Sequence, residues 1–444
     1  MLLGLLLASA PVFGQTCKEW TLDDCIKYAV ENNISLKQKK IAHEESIIDT
    51  KTAKANLFPS LSFSTNQNLT NRPFSETTTN LTSGSMTISS NKTTYNGNYG
   101  LNANWTIYNG GKNTKNVKLQ KVNEQISDLS IDQTSNSIIE QIAKLYIQIL
   151  YSTEAVEVNK NLLATANSNF ERGKEMYESG LLSKSELAQL ESQASQLQYN
   201  VVSAETTVEN YKLQLKQLLE LDGSQEFDII KTEATDEMAM TLIPEREQVY
   251  SAALLSRPEI QSSKLSIENA DLNVSIAKAG YMPTVSLTAG IGSSNSSGQK
   301  GSSFTNQLKK NLNNSLGLTM QIPIFNNRST KSAVEKAKLE RTNAALTLQS
   351  EEKKLYSTVA TLWLDANSAQ RKYVAAKENS KSTQSSFELI NEQFNVGLKN
   401  ITDLNNSKNE LIQAKQNELE SKYTSILNIQ LLKFYAGNNY SLSK

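Results

Sequence analysis

The sequence predicts a mainly α-helical protein with a β portion, built from one strand-loop-strand and long-helix unit used twice. Three observations carry this. Ala53, Ala55 and Pro59 align with Ala277, Ala279 and Pro283, while Phe170, Tyr177, Gly180 and Leu187 align with Phe387, Phe394, Gly397 and Leu404 at a constant offset of 217 residues. Four short runs alternate apolar with uncharged polar side chains. Two proline-free stretches of about 65 residues carry side chains in a seven-residue repeat.

The 444 residues could make two or three ordinary domains, but at 38% hydrophobic they are poor material for a broad globular core. A formal charge of zero leaves no basic field to draw nucleic acid or anionic lipid. Residues 1–14 read as a secretory signal, with Leu2, Leu3, Leu5, Leu6 and Leu7 before small residues, although the usual basic start is missing. The run is too short to span a bilayer, and no other segment resembles a transmembrane helix. The two cysteines, Cys17 and Cys25, could staple the chain start to the first helix in an oxidising compartment, or be unrelated thiols. The first repeat is placed at 15–223, an acidic connector at 224–243, the second repeat at 244–437 and a tail at 438–444.

Four strands are expected. Over about 60–70, Leu61, Phe63, Thr65 and Leu69 alternate with Ser62, Ser64, Asn66 and Asn68. Over about 98–108, Tyr99, Leu101, Ala103, Trp105 and Ile107 oppose Gly100, Asn102, Asn104 and Thr106. Over about 284–292, Val285, Leu287, Ala289 and Ile291 oppose Ser286, Thr288, Gly290 and Gly292. Over about 315–325, Leu316, Leu318, Met320, Ile322 and Ile324 oppose Gly317, Thr319 and Gln321. Period two with one apolar face fits a half-buried sheet packed on helices. The uncharged polar face and the strand lengths equally suit a transmembrane β-barrel, with Leu101, Trp105, Leu318 and Ile322 toward lipid and their neighbours toward a wet lumen. Four strands cannot close such a pore, so several chains would have to share it. The Ser-, Thr- and Asn-rich gaps between paired strands read as hairpin loops.

Helices are expected over about 113–178, 186–219, 331–395 and 402–434, the longer ones about 100 Å long. In the returning helix of the first copy, Leu187, Leu190, Ala194, Leu197, Val201, Ala204, Val208, Tyr211, Leu215 and Leu218 are spaced three and four apart. That 3.5-residue period demands left-handed supercoiling, here as antiparallel pairs turned at Gly180 and Gly397. Ser185 and Thr402 are expected to cap the outgoing helices. Leu181 and Leu398, beside the turns, either dock a partner or close the helix pair.

The chain offers little for catalysis. Its single histidine, His43, sits among lysines and glutamates without a partner at ligand spacing and is read as solvated. No phosphate-binding glycine loop and no Ser-His-acid set can be assembled. Neither metal nor cofactor is expected.

The doubled Pro-strand-loop-strand-helix order resembles the TolC-like outer membrane efflux protein family. The fragments that carry the likeness are Ala55-Asn-Leu-Phe-Pro59, Ala279-Gly-Tyr-Met-Pro283, Trp105-Thr-Ile-Tyr108-Asn-Gly110-Gly and Gln321-Ile-Pro323-Ile-Phe325. The resemblance implies a homotrimer in the outer membrane. Twelve shared strands would form one barrel, and a coiled-coil helical barrel would continue it through the periplasm. It implies a passive exit duct for a tripartite efflux or type I secretion system. The partners would be a periplasmic adaptor and an inner-membrane pump of the resistance-nodulation-division or ABC type. Adaptor docking carries over to Gly180, Leu181, Leu182, Ser185, Gly397, Leu398 and Ile401. A periplasmic gate carries over to Asp403, with Glu186 at the matching first-copy position. The family's second acidic position is Asn406 here, so the gate is expected to hold cations less strongly. The competing reading is a non-conducting periplasmic coiled-coil scaffold or adaptor.

Overall fold

The structure, a computed structural model, describes residues 19–74, 80–82, 85–87, 93–223, 226–231, 234–297 and 302–438. The expected signal segment and Cys17 lie outside them, as does all of the expected tail but Asn438. In chain order the elements are β1 (Glu19–Trp20), α1 (Leu22–Asn32), α2 (Ile34–Ala55), β2 (Ser60–Asn71), β3 (Asn80–Thr82), β4 (Ser85–Thr87) and β5 (Thr93–Asn109). Then follow α3 (Lys112–Glu178), α4 (Lys184–Leu218), β6 (Asp228–Ile229), α5 (Asp236–Ala239), α6 (Arg246–Ser256) and α7 (Pro258–Lys278). A 3₁₀ turn leads into β7 (Thr284–Ser296), α8 (Phe304–Lys310), β8 (Asn313–Gln321), α9 (Ser329–Asn395) and α10 (Ile401–Tyr435).

The two copies match to the residue in helix length at three places. Helices α3 and α9 are each 67 residues, α4 and α10 each 35, and both pairs stand 217 positions apart. Helices α1 and α6 are each 11 residues, 224 positions apart. Each is followed by a one-residue break with its own chemistry. At the first, the Asn33 side-chain amide donates to the Leu218 carbonyl at 3.0 Å. At the second, Pro258 occupies the first position of α7, where its missing N–H would have no helical partner anyway.

The repeats are not two compact units. One unit takes residues 42–127 and 263–347, the other 1–41, 128–262 and 348–444, so each draws on both copies. In the sheet of the first, strand β5 of the first copy pairs with β7 of the second; in the other, α3 and α4 share apolar clusters with α9 and α10.

The first of these units holds that sheet, ordered β2-β5-β7-β8 and antiparallel throughout. Residues opposite one another share a face. Register therefore places Phe63, Leu101 and Ile291 in one row, Leu61, Ala103, Ala289 and Leu316 in another, and Trp105, Leu287 and Leu318 in a third. Two details depart from strict alternation. The β5–β7 register shifts between Thr106 and Tyr108, leaving Ile107 as the extra residue of a bulge; Tyr108 then pairs with Val285. Strand β8 ends at Gln321, so Ile322, expected inside it, lies one residue beyond. Pro323 follows, with no N–H to offer a ladder and a restricting effect on the residue before it.

The other unit holds three apolar clusters. One gathers α1, α3, α4, α9 and α10 around Cys25, Ile142, Tyr146, Leu215, Tyr373 and Ile426. A second joins α3 and α4 to α9 and α10 through Leu162, Leu190, Leu197, Phe387, Phe394, Leu404 and Leu411. The third seats α6 and the start of α7 on α9 and α10 through Val249, Ala253, Ile260, Val359, Ala366 and Leu432. At the α6–α7 junction Arg257 is buried, its guanidinium 3.6 Å from the centre of the Tyr435 ring and 3.6 Å from Glu140.

The connector contributes short elements. Strand β6 pairs in parallel with β1, and Tyr146 donates its hydroxyl to the Ile230 carbonyl at 2.9 Å. Helix α5 is capped by Thr235 and held on α9 and α10. Asp236 accepts from Lys377 and Tyr373, which hold its carboxyl below the usual range, and Ser425 donates to the Ala239 carbonyl at 2.7 Å.

Candidate functional site

Among the described residues, the sheet and the two helix turns leave surfaces without a partner in the isolated chain. On the sheet, Leu61, Phe63, Leu101, Trp105, Ile291, Leu316, Leu318 and Met320 are all exposed, on the face that the register defines. The opposite face carries only Ser, Thr, Asn, Gln and Gly: Ser62 with Asn102 and Gly290, Ser64 with Gly100 and Gly292, Thr106 with Ser286 and Thr319. No strand of the sheet contains an Asp, Glu, Lys or Arg. The sheet thus has one apolar face, bare in the isolated chain, and one uncharged polar face that can line water without imposing a sign of charge. Trp105 is tied to the strand base, donating from Nε1 to the Leu57 carbonyl at 2.9 Å. Among the described residues no helix is long and apolar enough to cross a membrane.

The second surface is at the two helix turns. Gly180 and Gly397 take φ of +74° and +76°, left-handed values that glycine adopts without strain. The Leu181 N–H reaches the Met176 carbonyl at 2.8 Å and the Leu398 N–H reaches Gln393 at 2.8 Å, completing the same six-to-one helix stop in both copies. Those bonds fix the backbones of Leu181 and Leu398 and leave their side chains 75% and 76% exposed. Ser185 is exposed too.

Several expected tip residues stand elsewhere. Leu182 and Ile401 are only 8% and 4% exposed, packed in the cluster that joins α3 and α4 to α9 and α10. Their apolar side chains close the hairpins from inside in the isolated chain, unlike the exposed Leu181 and Leu398. Ser185 and Thr402 are not the caps. Ser183 caps α4, accepting from the Glu186 N–H at 3.2 Å while Glu186 returns a bond to the Ser183 N–H at 2.8 Å. Asn400 caps α10, accepting from the Asp403 N–H at 2.8 Å. The motif Ser183-x-x-Glu186 is a capping box readable in the sequence, obscured by the second serine two residues on.

The capping changes the charge of the tip. Hydrogen bonds from the Ser183 hydroxyl and N–H hold the Glu186 carboxyl below its usual range, so it stays ionised but is spent on the helix start. Asp403 is half-exposed, with the Lys399 ammonium 3.4 Å away. Asn406 is exposed and neutral. Asp403 is thus partly countered by its own lysine, and Glu186 by the start of its own helix.

The remaining candidates are accounted for separately. Cys25 is fully buried and its thiol is pushed up to about 12, mainly by burial. Its suggested partner Cys17 lies outside the described residues. His43, expected in solvent, is half-buried with Nδ1 unpartnered. Two residues of this region went unsingled in the sequence. Gly173 lets α4 close on α3, since a Cβ there would lie 2.4 Å from Leu190. Lys408 lies on the seam face of α10 between Leu404 and Leu411 and is 3% exposed. Its signal was present: a lysine at the three-and-four spacing of the seam.

A sheet with one apolar and one uncharged face, in a chain that also contains long paired helices, is the makeup of an outer-membrane duct. The outer membrane efflux protein family model matches residues 25–220 and 249–438, most of the chain, and the protein belongs to that family. It is an exit duct of the outer membrane and not an enzyme. Among curated relatives it is similar to the outer membrane protein TolC of Vibrio cholerae, 21% identical over 308 residues that cover 69% of either chain. It is also similar to the outer membrane efflux protein BepC of Brucella suis, 20% identical over 415 residues that cover 93% of this chain and 84% of BepC. Among solved structures it shares the fold of the CmeC outer membrane channel of Campylobacter jejuni, with a TM-score of 0.76, 20% identity and coverage of 95% and 87%. The open-state MtrE outer membrane channel of Neisseria gonorrhoeae gives 0.74, 18%, 94% and 88%.

Proposed function

We propose that three copies of this chain share one twelve-stranded barrel and pool their helices into a periplasmic tunnel. The tunnel docks an adaptor of an inner-membrane pump at Leu181 and Leu398. The observation that carries this reading is the open sheet. Strands β2 and β8 each pair on one side only, while the apolar face around them is bare. In hydrocarbon every unpaired backbone group costs several kcal/mol, so such edges have to be closed by something. Four strands alternating in direction leave β8 antiparallel to the β2 of an adjoining copy, which makes the seam between copies chemically the same as the pairings within one. The duct stores no energy and binds no cofactor; the pump supplies the driving force.

Native mass spectrometry of the protein extracted from outer membranes in detergent tests the assembly. Three copies are expected, and a stable monomer rules the shared barrel out. In planar bilayers the same preparation should conduct.

At the tip, three Asp403 carboxylates form the gate ring, and opening parts the α3–α4 pair from the α9–α10 pair. With Lys399 beside each Asp403 and Asn406 in place of a second acid, the ring holds divalent cations weakly. Asp403→Ala is expected to shift divalent-cation block of single channels to higher concentration, by about tenfold. An unchanged block curve removes Asp403 from the gate.

A further inference from the structure

Near the tip, the apolar seam of α10 contains a charged side chain. Positions Ile401, Leu404, Lys408 and Leu411 are spaced three, four and three, and all four are buried. Three of them pack with Leu190, Ala194 and Leu197 of α4; the remaining one is a lysine. Its ammonium has one hydrogen-bond partner, the Gln193 side-chain oxygen of α4, and no carboxylate within ion-pair distance among the described residues. Burial alone pulls its pKa down to about 8. Beside it, the Ser407 hydroxyl and the Asn405 side-chain oxygen are buried without a partner. A lone charge facing a neutral amide in an apolar seam is destabilising, and a polar network left half satisfied is worse than an apolar one. Within a coiled coil, one lysine at a seam position also fixes register at a cost in stability.

We propose that Lys408 is a built-in opener of the tip: its buried, uncompensated side chain keeps the α4–α10 contact metastable, and parting these helices returns it to water. The inference rests on the reading that the tip opens by helix separation. Lys408 stands seven residues from the start of α10, about 10 Å along the axis, so its release needs separation of only the first two turns. Nothing in this device names the signal for opening. It sets how small that signal can be.

Two substitutions remove the mismatch in different ways. Lys408→Met keeps the length of the side chain and makes it apolar, while Gln193→Glu leaves the lysine and gives it a carboxylate. In the detergent-extracted full chain, hydrogen exchange of the amides over 401–411 is expected to slow about tenfold or more in both variants. In bilayers the open fraction should fall by a similar factor. Exchange that is unchanged or faster in Lys408→Met overturns the proposal, and slower exchange with an unaltered open fraction overturns the link from helix parting to opening. If the unsubstituted protein carries no current, the duct reading fails, while the exchange measurement still decides whether Lys408 loosens the contact.

Discussion

Replacing Leu101 by arginine is expected to empty the outer membrane of this protein. Leu101 stands in mid-strand, with Phe63 opposite on one side and Ile291 on the other, all three exposed on the apolar face. An arginine near the bilayer midplane on the lipid face of a barrel costs about 2–4 kcal/mol. Three copies raise this to about 6–12 kcal/mol per barrel, comparable to the whole stability of an ordinary domain. The assembled, membrane-extracted form should fall at least tenfold on fractionation, with the unassembled chain degraded or left in the periplasm. Asn104→Arg is the control. Asn104 faces the polar side between Ser60 and Thr288, where a charged side chain meets water, so insertion should persist and ion selectivity move toward anions. Normal insertion of Leu101→Arg would place that face in water and leave the sheet a soluble one.

The features legible in the sequence were those set by solvent. Alternation in β2, β5, β7 and β8 is visible because the two faces of the sheet differ in chemistry, and the seams of α4 and α10 because one stripe meets a partner helix. What escaped depends on geometry within a few residues. The Ile107 bulge leaves composition unchanged while it transfers the apolar face to Tyr108. The end of β8 at Gln321 is signalled by Pro323, but Ile322 and Ile324 extend the alternation past it. At the tip, Leu181 and Leu182 are chemically the same; only the helix stop at Gly180 sends one outward and turns the other in. The pairing of β5 with β7, which joins the two copies in one compact unit, is a tertiary choice that no local pattern announces.

The second large effect is expected at Leu398. Its side chain is 76% exposed and its backbone is fixed by the helix stop at Gly397, so Leu398→Asp should leave folding within about 0.5 kcal/mol of wild type. Docking reverses that balance. Burying a leucine against an adaptor is worth about 1.5–3 kcal/mol, and an aspartate there forfeits this and adds the expense of an unpaired charge. A loss of about 3 kcal/mol at one tip exceeds a hundredfold in affinity, and each copy repeats it. Transport should therefore cease in cells while the variant remains in the outer membrane in its normal assembly and conducts in bilayers. Leu182→Asp separates docking from folding. Its leucine is packed inside the hairpin, so that variant should instead lower the melting temperature and the amount of assembled protein. Undiminished efflux by Leu398→Asp would sink the docking assignment, whereas loss of efflux accompanied by loss of the assembly would show that the tip leucine serves the fold.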